Sequence, residues 1–248
     1  MTDGLNGTGS ALLTLEGVRK SWGEQEVLGG VDLEIQAGTM VSVAGANGSG
    51  KTTLLRIATG MIIPDRGRTS FRGVDIERDL AAYQRHIGFL SAGDRGLYAR
   101  LTVRQNLDLW GGLAGLSRRE RRRRIDRMLS QFEIVELADR RVDRLSMGQR
   151  QRVRLALTFL HHPLIVILDE PRTSLDEAGV SLLNDALARL VGQGGAVLLA
   201  SPEPSLPFSG QSWLLQSGEL QATDAGVPEP ARPESPPGDF ATPGAVRS

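Results

Sequence analysis

Cysteine is absent from the 248 residues. That removes disulfides, thiolate metal sites and cysteine nucleophiles together, and it suits a reducing compartment, with cytoplasm as the default expectation. Lysine is nearly absent too: Lys20 and Lys51 are the only two, so neither ammonium has a neighbouring lysine to replace it. Aromatic residues make up 4% of the chain, and the formal net charge is zero. A neutral molecule has no long-range field pulling it toward nucleic acid or an anionic membrane, so no nucleic-acid partner is expected and any charged partner must be met locally. Long hydrophobic runs are also missing. The longest, at 164–168 and 196–200, are far short of the roughly 20 residues a membrane helix needs, so the chain itself is not expected to span a bilayer. Residues 1–10, MTDGLNGTGS, lack the basic start and apolar run of a secretory signal and read as a flexible leader.

With 40% hydrophobic and 23% charged content, the chain can bury a full core. Its length suits one large domain, or one domain with a lobe. Two short strands are expected at 11–15 and 31–35, the second alternating apolar and polar residues as a half-exposed antiparallel strand does. Residues 40–44 then run into a Gly-rich turn, and 52–59 read as a helix. From about 102 to 160 the character is helical, with Ile125, Met128, Leu129 and Phe132 recurring at three- and four-residue steps. The unbroken apolar runs 164–168 and 196–200 fit strands buried on both faces of a parallel sheet, with a helix around 182–191 between them. A hairpin, 213–215 with 219–221 around Ser217-Gly218, closes the domain. The Pro-, Gly- and Ala-rich tail from 223 to 248 has almost no large apolar residues to offset its ordering entropy, and it is expected to be disordered.

The segment 45–52, GANGSGKT, fits the phosphate-loop pattern and sits after a strand and before a helix, as that pattern requires. Glycines let the backbone wrap close to phosphate oxygens, and the helix amino terminus directs N–H groups at them. Lys51 is placed to neutralise β/γ charge and Thr52 to ligate Mg²⁺. Downstream, LIVIL at 164–168 ends in Asp169-Glu170-Pro171, two carboxylates at the carboxyl end of a buried strand, where ligands collect in open α/β sheets. Asp169 suits the metal, and Glu170 suits orienting or deprotonating the attacking water. Taken alone, an apolar strand ending in two acids also describes a strand end meeting solvent. Between the two motifs lies LSMGQRQR, 145–152, with Ser146 as an N-cap ahead of a helical pattern.

These three motifs, in this order, resemble the ATP-binding cassette family, whose signature LSGGQ stands here as LSMGQ with Met147 replacing one glycine. The resemblance spans roughly residues 11–222. It implies an α/β fold: a P-loop NTPase core with an N-terminal antiparallel β subdomain and a helical lobe at about 90–160. It implies nucleotide contacts from Gly45, Asn47, Gly48, Ser49, Gly50, Lys51, Thr52 and Thr53, Mg²⁺ at Thr52 and Asp169, and catalysis by Glu170. It implies a head-to-tail dimer, homomeric or heteromeric, in which Ser146, Gly148 and Gln149 of one subunit face the γ-phosphate held by Lys51 of the other. The physical sense is that a second helix amino terminus adds donors to an anion already cradled. Trp22 falls where the family places an aromatic on adenine, sheet packing being the other reading. The segment TSLD, 173–176, resembles the loop that crosses the dimer interface, with a helix cap as the other reading of Asp176. LTVRQNL at 101–107, preceded by GDRGLY at 93–98, looks like the entrance to the helical lobe in exporters of lipids, polysaccharides or drugs.

The chain departs from the family pattern in two places. Where a glutamine is expected after IGFL, 87–90, it has Ser91, Ala92, Gly93 and Asp94, and Gln105 lies in the following helix. Where Ser-His-Asp is usual after 196–200, it reads Ser201-Pro202-Glu203, so the histidine is missing. The arginines 118, 119 and 121–124 around Glu120 read as a solvated helix face, or as a contact with anionic lipid or a membrane subunit. The expected function is ATP binding and hydrolysis powering a membrane exporter through a separate integral membrane partner, at the cytoplasmic face. Two alternatives remain open at this point: a soluble non-transport ATPase of the same family, and a slow-hydrolysing ATP-dependent dimerisation module.

Overall fold

The apolar alternation at the start of the chain belongs to a hairpin longer than the sequence suggests. In the computed structural model, which describes residues 11–93, 95–203 and 210–223, β1 (Ala11–Trp22) pairs antiparallel with β2 (Gln25–Gln36). Trp22 faces Gln25 across a tight turn in which Gly23 takes φ 62°. The strands foreseen at 11–15 and 31–35 are the far end of this ribbon. A register shift after Leu15, where Gly17 takes φ 56°, breaks the alternation on which the shorter reading rested. After β3 (Met40–Ala44) and α1 (Lys51–Ala58), β4 (Arg66–Phe71) and β5 (Val74–Asp75) complete a sheet in the order β2-β1-β4-β5.

The chain continues through α2 (Leu80–Gln84), β6 (Ile87–Leu90), α3 (Val103–Leu113), α4 (Arg118–Gln131) and α5 (Met147–Phe159). It ends with β7 (Ile165–Asp169), α6 (Glu177–Gly192), β8 (Ala196–Ser201), β9 (Gln211–Gln216) and β10 (Glu219–Ala222). The second sheet has the order β10-β9-β3-β8-β7-β6, parallel except for the closing β9–β10 hairpin. That hairpin turns on Ser217 and Gly218, both at positive φ, as a two-residue connection requires.

Every residue of β3 and β7 is buried, which is why these strands read as continuous apolar runs. Their side chains still alternate between two cores. Ile165 and Ile167 join Leu13, Leu54, Ile57 and Leu198 beneath the antiparallel sheet and α1. Val166 and Leu168 join Leu107, Ile125, Leu129, Phe132, Phe159 and Leu183 beneath α3 to α6. The helices at 90–160 therefore share one core with a face of the sheet. The helices α3 to α6 each start on a side-chain cap: Thr102, Ser117, Ser146 and Asp176 accept from backbone N–H groups of α3, α4, α5 and α6. The expected leader at 1–10 and, from residue 224 on, the expected tail lie outside the described residues.

Candidate nucleotide site

The parallel strands β3, β6, β7 and β8 deliver their carboxyl ends to one edge of the sheet, where the chain leaves them for the loops that carry the motifs. After β3, the loop 45–50 is shaped by close approach. A side chain at Gly45 would lie 2.6 Å from the Leu215 carbonyl oxygen and 2.7 Å from Ser49 Oγ, and one at Gly50 (φ 104°) would lie 2.8 Å from Val27 Cγ1. Gly48 takes φ 84°, and Ser49 N–H closes a turn onto the Ala46 carbonyl at 3.1 Å. Gly50 caps α1 without a side-chain acceptor, and no acidic residue stands in the first turn, so the positive end of the helix faces this loop unneutralised. Lys51 is buried, and its Nζ donates to the carbonyls of Gly45 at 2.6 Å and Ala46 at 2.9 Å. Ser49 Oγ is buried with no hydrogen-bond partner among the described residues. Uncapped amides, an ammonium and an orphaned hydroxyl around one glycine loop fit an anion of several oxygens. Thr52 and Thr53, the next residues, follow Lys51 in the first turn of the helix.

Thr52 Oγ1 donates to Asp169 Oδ2 at 2.8 Å, across 117 residues of sequence. Asp169 is 2% exposed and ends β7, so the first helical turn and the strand end form one polar junction, a hydroxyl and a carboxylate of the kind Mg²⁺ takes from a protein. Glu170 follows in the left-handed region at φ 50°, rare for a residue with a side chain. Its backbone is pinned on both sides: its N–H donates to the Ala200 carbonyl at 2.9 Å, and its own carbonyl accepts from Thr173 at 3.2 Å. It lines a cavity of about 90 Å³ together with Ser91, Met147, Gln151, Arg154 and Asp169.

Trp22 is 54% exposed at the hairpin tip, with Lys20 Nζ 5.2 Å from its ring centroid. It is not packed into the sheet. Val27, against which Gly50 rests, lies two residues from the Gln25 that faces Trp22, so the exposed ring and the phosphate loop belong to the same end of the ribbon. In the signature segment, Ser146 and Gln149 form a reciprocal cap. Gln149 N–H donates to Ser146 Oγ at 3.2 Å, and Ser146 N–H donates to Gln149 Oε1 at 3.1 Å. A side chain at Gly148 would lie 3.0 Å from the Ser174 carbonyl, and Met147 is exposed. The Asp176 carboxylate caps α6 through Gly179 N–H at 2.9 Å and accepts from Arg152 at 2.9 Å. Arg152, then the Gly179 amide, hold its carboxyl below the ordinary range.

Pro202 follows Ser201, which pairs with Ala44 of β3, so the position lacking a histidine stands beside the start of the phosphate loop. His161 and His162 do not replace it. His161 Nε2 contacts the Ile87 carbonyl at 3.0 Å, at the opening of β6, and burial pushes both imidazoles below their ordinary value. Asp94 lies outside the described residues, and Gln105 caps α3 by accepting from Thr102 N–H at 2.9 Å. On α4, Arg121 pairs with Asp108 at 2.6 Å and Arg124 with Glu120, while Arg118, Arg119, Arg122 and Arg123 are exposed. Sequence reading passed over Gln151 and Arg154. Their signal is two long polar side chains three residues apart that are both buried on an otherwise apolar helix face.

Comparison with known proteins places the chain in a family. A family model described as ABC transporter matches residues 28–173, which include the phosphate loop, the signature and Asp169-Glu170. The daunorubicin resistance ATP-binding protein DrrA3 of Streptomyces coeruleorubidus is 38% identical over 189 residues, 76% of this chain and 60% of its own. The chain thus spans less than two thirds of that relative. The cytochrome c biogenesis ATP-binding export protein CcmA of Bordetella bronchiseptica is 37% identical over 76% of this chain and 83% of its own. Among solved structures, the dimeric post-hydrolysis state of the ATP-binding cassette MJ0796 bound to ADP and Pi superposes with a TM-score of 0.75 at 27% identity, covering 84% of this chain and 96% of that one. On the match of the family model and of these relatives, the chain belongs to the ABC transporter family, among its ATP-binding proteins.

Proposed function

We propose that this protein binds and hydrolyses ATP as a dimer and powers an exporter through a separate integral membrane partner at the cytoplasmic face. The observation that carries the reading is the Thr52–Asp169 junction, which joins the phosphate loop to the strand end bearing Glu170. The loop amides, the α1 terminus and Lys51 hold the phosphates, with Ser49 Oγ as a further donor. Thr52 and Asp169 would hold Mg²⁺, which would spread the charge of the β- and γ-phosphates. Trp22 stacks on the base. Glu170 accepts a proton from water as its oxygen bonds to the γ-phosphorus, and the bond from that phosphorus to the β–γ bridging oxygen breaks to release ADP and phosphate. Ser146, Gly148 and Gln149 serve the ATP of the second subunit.

Among the described residues no helix is long and apolar enough to cross a bilayer. Support for a membrane partner comes from an exposed apolar cluster on the helical side. Tyr98 and Trp110 have ring centroids 6.4 Å apart, and Leu113, 68% exposed, ends the same helix as Trp110. The names of the relatives point to export. A second reading, slow hydrolysis with ATP acting mainly as dimer glue, is favoured by Pro202 at the histidine position. The wild-type rate of phosphate release decides between them, tens per second favouring the first and a far slower rate the second. Glu170→Gln tests the base itself: it keeps the side-chain shape but cannot accept the proton, so phosphate release ceases and MgATP gathers the variant into dimers on size-exclusion chromatography. Turnover equal to wild type would overturn the assignment of Glu170.

A further inference from the structure

Gln151 and Arg154 sit three residues apart on α5, and both are 6% exposed. A guanidinium carried that far from water must be repaid by hydrogen bonds, so its partners show what it holds. Arg154 Nε donates to the Arg95 carbonyl at 3.0 Å, Nη2 donates to the Ser91 carbonyl, and Nη1 donates to Gln151 Oε1 at 2.7 Å. Gln151 Nε2 in turn donates to the Pro171 carbonyl at 3.0 Å. The two side chains thus string together two loops that leave neighbouring parallel strands, 91–95 after β6 and 170–171 after β7.

Pro171 directly follows Glu170, and proline's fixed φ makes the next carbonyl a stiff handle on the peptide before it. Glu170 keeps its left-handed backbone only because its surroundings over-determine it, and Gln151 supplies a third constraint beside the Ala200 and Thr173 hydrogen bonds. The segment after β6 is also where the family's glutamine is expected and missing, and it leads to the exposed Tyr98 and Trp110, with Trp110 Nε1 donating to the Gly96 carbonyl at 2.9 Å. We propose that Arg154 and Gln151 are positioning residues that tie the backbone at Ser91 and Arg95 to the peptide following Glu170 and so hold the catalytic carboxylate in place. The proposal rests on the reading of Glu170 as the catalytic base.

The test uses the full-length chain as wild type, Gln151→Glu, Arg154→Met, Arg154→Lys and Glu170→Gln. Gln151→Glu keeps an acceptor for Arg154 but turns an acceptor toward the Pro171 carbonyl, so it breaks only the last link. Backbone hydrogen exchange, which needs no turnover, should quicken at 169–175 in Gln151→Glu. In Arg154→Met it should quicken at both 90–97 and 169–175, although none of the Arg154 hydrogen bonds given above reaches the second stretch. In steady-state assays, kcat falls about tenfold or more in both variants while KM for MgATP stays within about twofold, and Arg154→Lys recovers part of the loss. Unchanged exchange at 169–175 in both variants overturns the relay. So does a loss of kcat that only tracks a lower melting temperature and weaker nucleotide binding. Should Glu170→Gln turn over like wild type, the reading of Glu170 fails instead, and the exchange result alone decides whether the two loops are linked.

Discussion

Replacing Thr52 by valine keeps the side-chain volume and removes one hydroxyl, and the structure fixes what that hydroxyl does. It donates at 2.8 Å to a carboxylate that is 2% exposed. A hydrogen bond to a charged group contributes about 1.5–3 kcal/mol. At about 2–4 °C per kcal/mol for a chain of this size, Thr52→Val should melt about 3–12 °C below wild type without nucleotide. Asp169→Asn separates the two roles of the junction. Its amide oxygen still accepts from Thr52, and the 90 Å³ cavity that Asp169 lines leaves its new N–H₂ room to meet water, so stability should stay within about 1 kcal/mol. The magnesium-dependent part of ATP affinity should fall at least about tenfold in both variants, or about 1.4 kcal/mol. Thermal melting without nucleotide, and calorimetric titration of ATP with and without magnesium, read the two effects independently. Wild-type melting of Thr52→Val would mean that the bond holds nothing together. Undiminished magnesium dependence in Asp169→Asn would remove the metal from this junction.

Lys51→Ala should abolish tight MgATP binding or turnover, because Lys20, the only other lysine, is held in an ion pair with Asp65 at 2.6 Å; equal affinity and phosphate release in wild type and variant would contradict the role. Pro202→His should raise turnover of the purified dimer by roughly ten- to 150-fold, the rate equivalent of one charge-assisted hydrogen bond made in the transition state. A wild-type rate of tens per second, or a folded ATP-binding variant with no gain, would refute it. His161 is depressed chiefly by burial, so the unfolded chain takes up its proton first as pH falls. The stability His161 contributes is full above its unfolded value of about 6.5 and declines as pH drops below that, until the folded imidazole also protonates. His161→Leu should flatten much of this slope while lowering stability at pH 8 through loss of the contact with the Ile87 carbonyl; an unchanged slope in urea titrations across this range would rule it out.

The geometry of the candidate site was legible wherever it needs particular residue types at fixed spacing. The loop 45–52 must be glycine-rich because a Cβ at Gly45 or Gly50 meets atoms within 3 Å, so the backbone constraint is written directly into the sequence. β7 and β8 were legible because both their faces are buried. β4 was not: Arg66, Gly67 and Arg68 are exposed, and Gly67 is fixed by a contact invisible to periodicity, since its Cβ would lie 2.4 Å from the Glu16 carbonyl. β6 is four residues long, and its Gly88 answers to the Thr158 carbonyl across the core. Arg154 and Gln151 were passed over for the same reason, because burial of polar groups is a tertiary fact that a helical pattern does not carry.

Ser146, Gln149 and Asp176 are capping residues to which the proposed function gives a second role. Each side chain is engaged within the chain, Ser146 and Gln149 with each other and Asp176 with α6 and Arg152. A cap leaves capacity unused, since a serine oxygen that accepts from Gln149 N–H keeps its own O–H to donate. The reciprocal cap fixes where that hydroxyl stands, and the close approach of Gly148, where an added Cβ would lie 3.0 Å from the Ser174 carbonyl, fixes how the α5 terminus meets the loop before α6. A bulkier residue at 148 would push the two apart. The local capping chemistry and the proposed intermolecular contact are therefore not rival accounts of these residues, because the first holds the donors rigid for the second and so lowers the entropy lost when two subunits close on ATP.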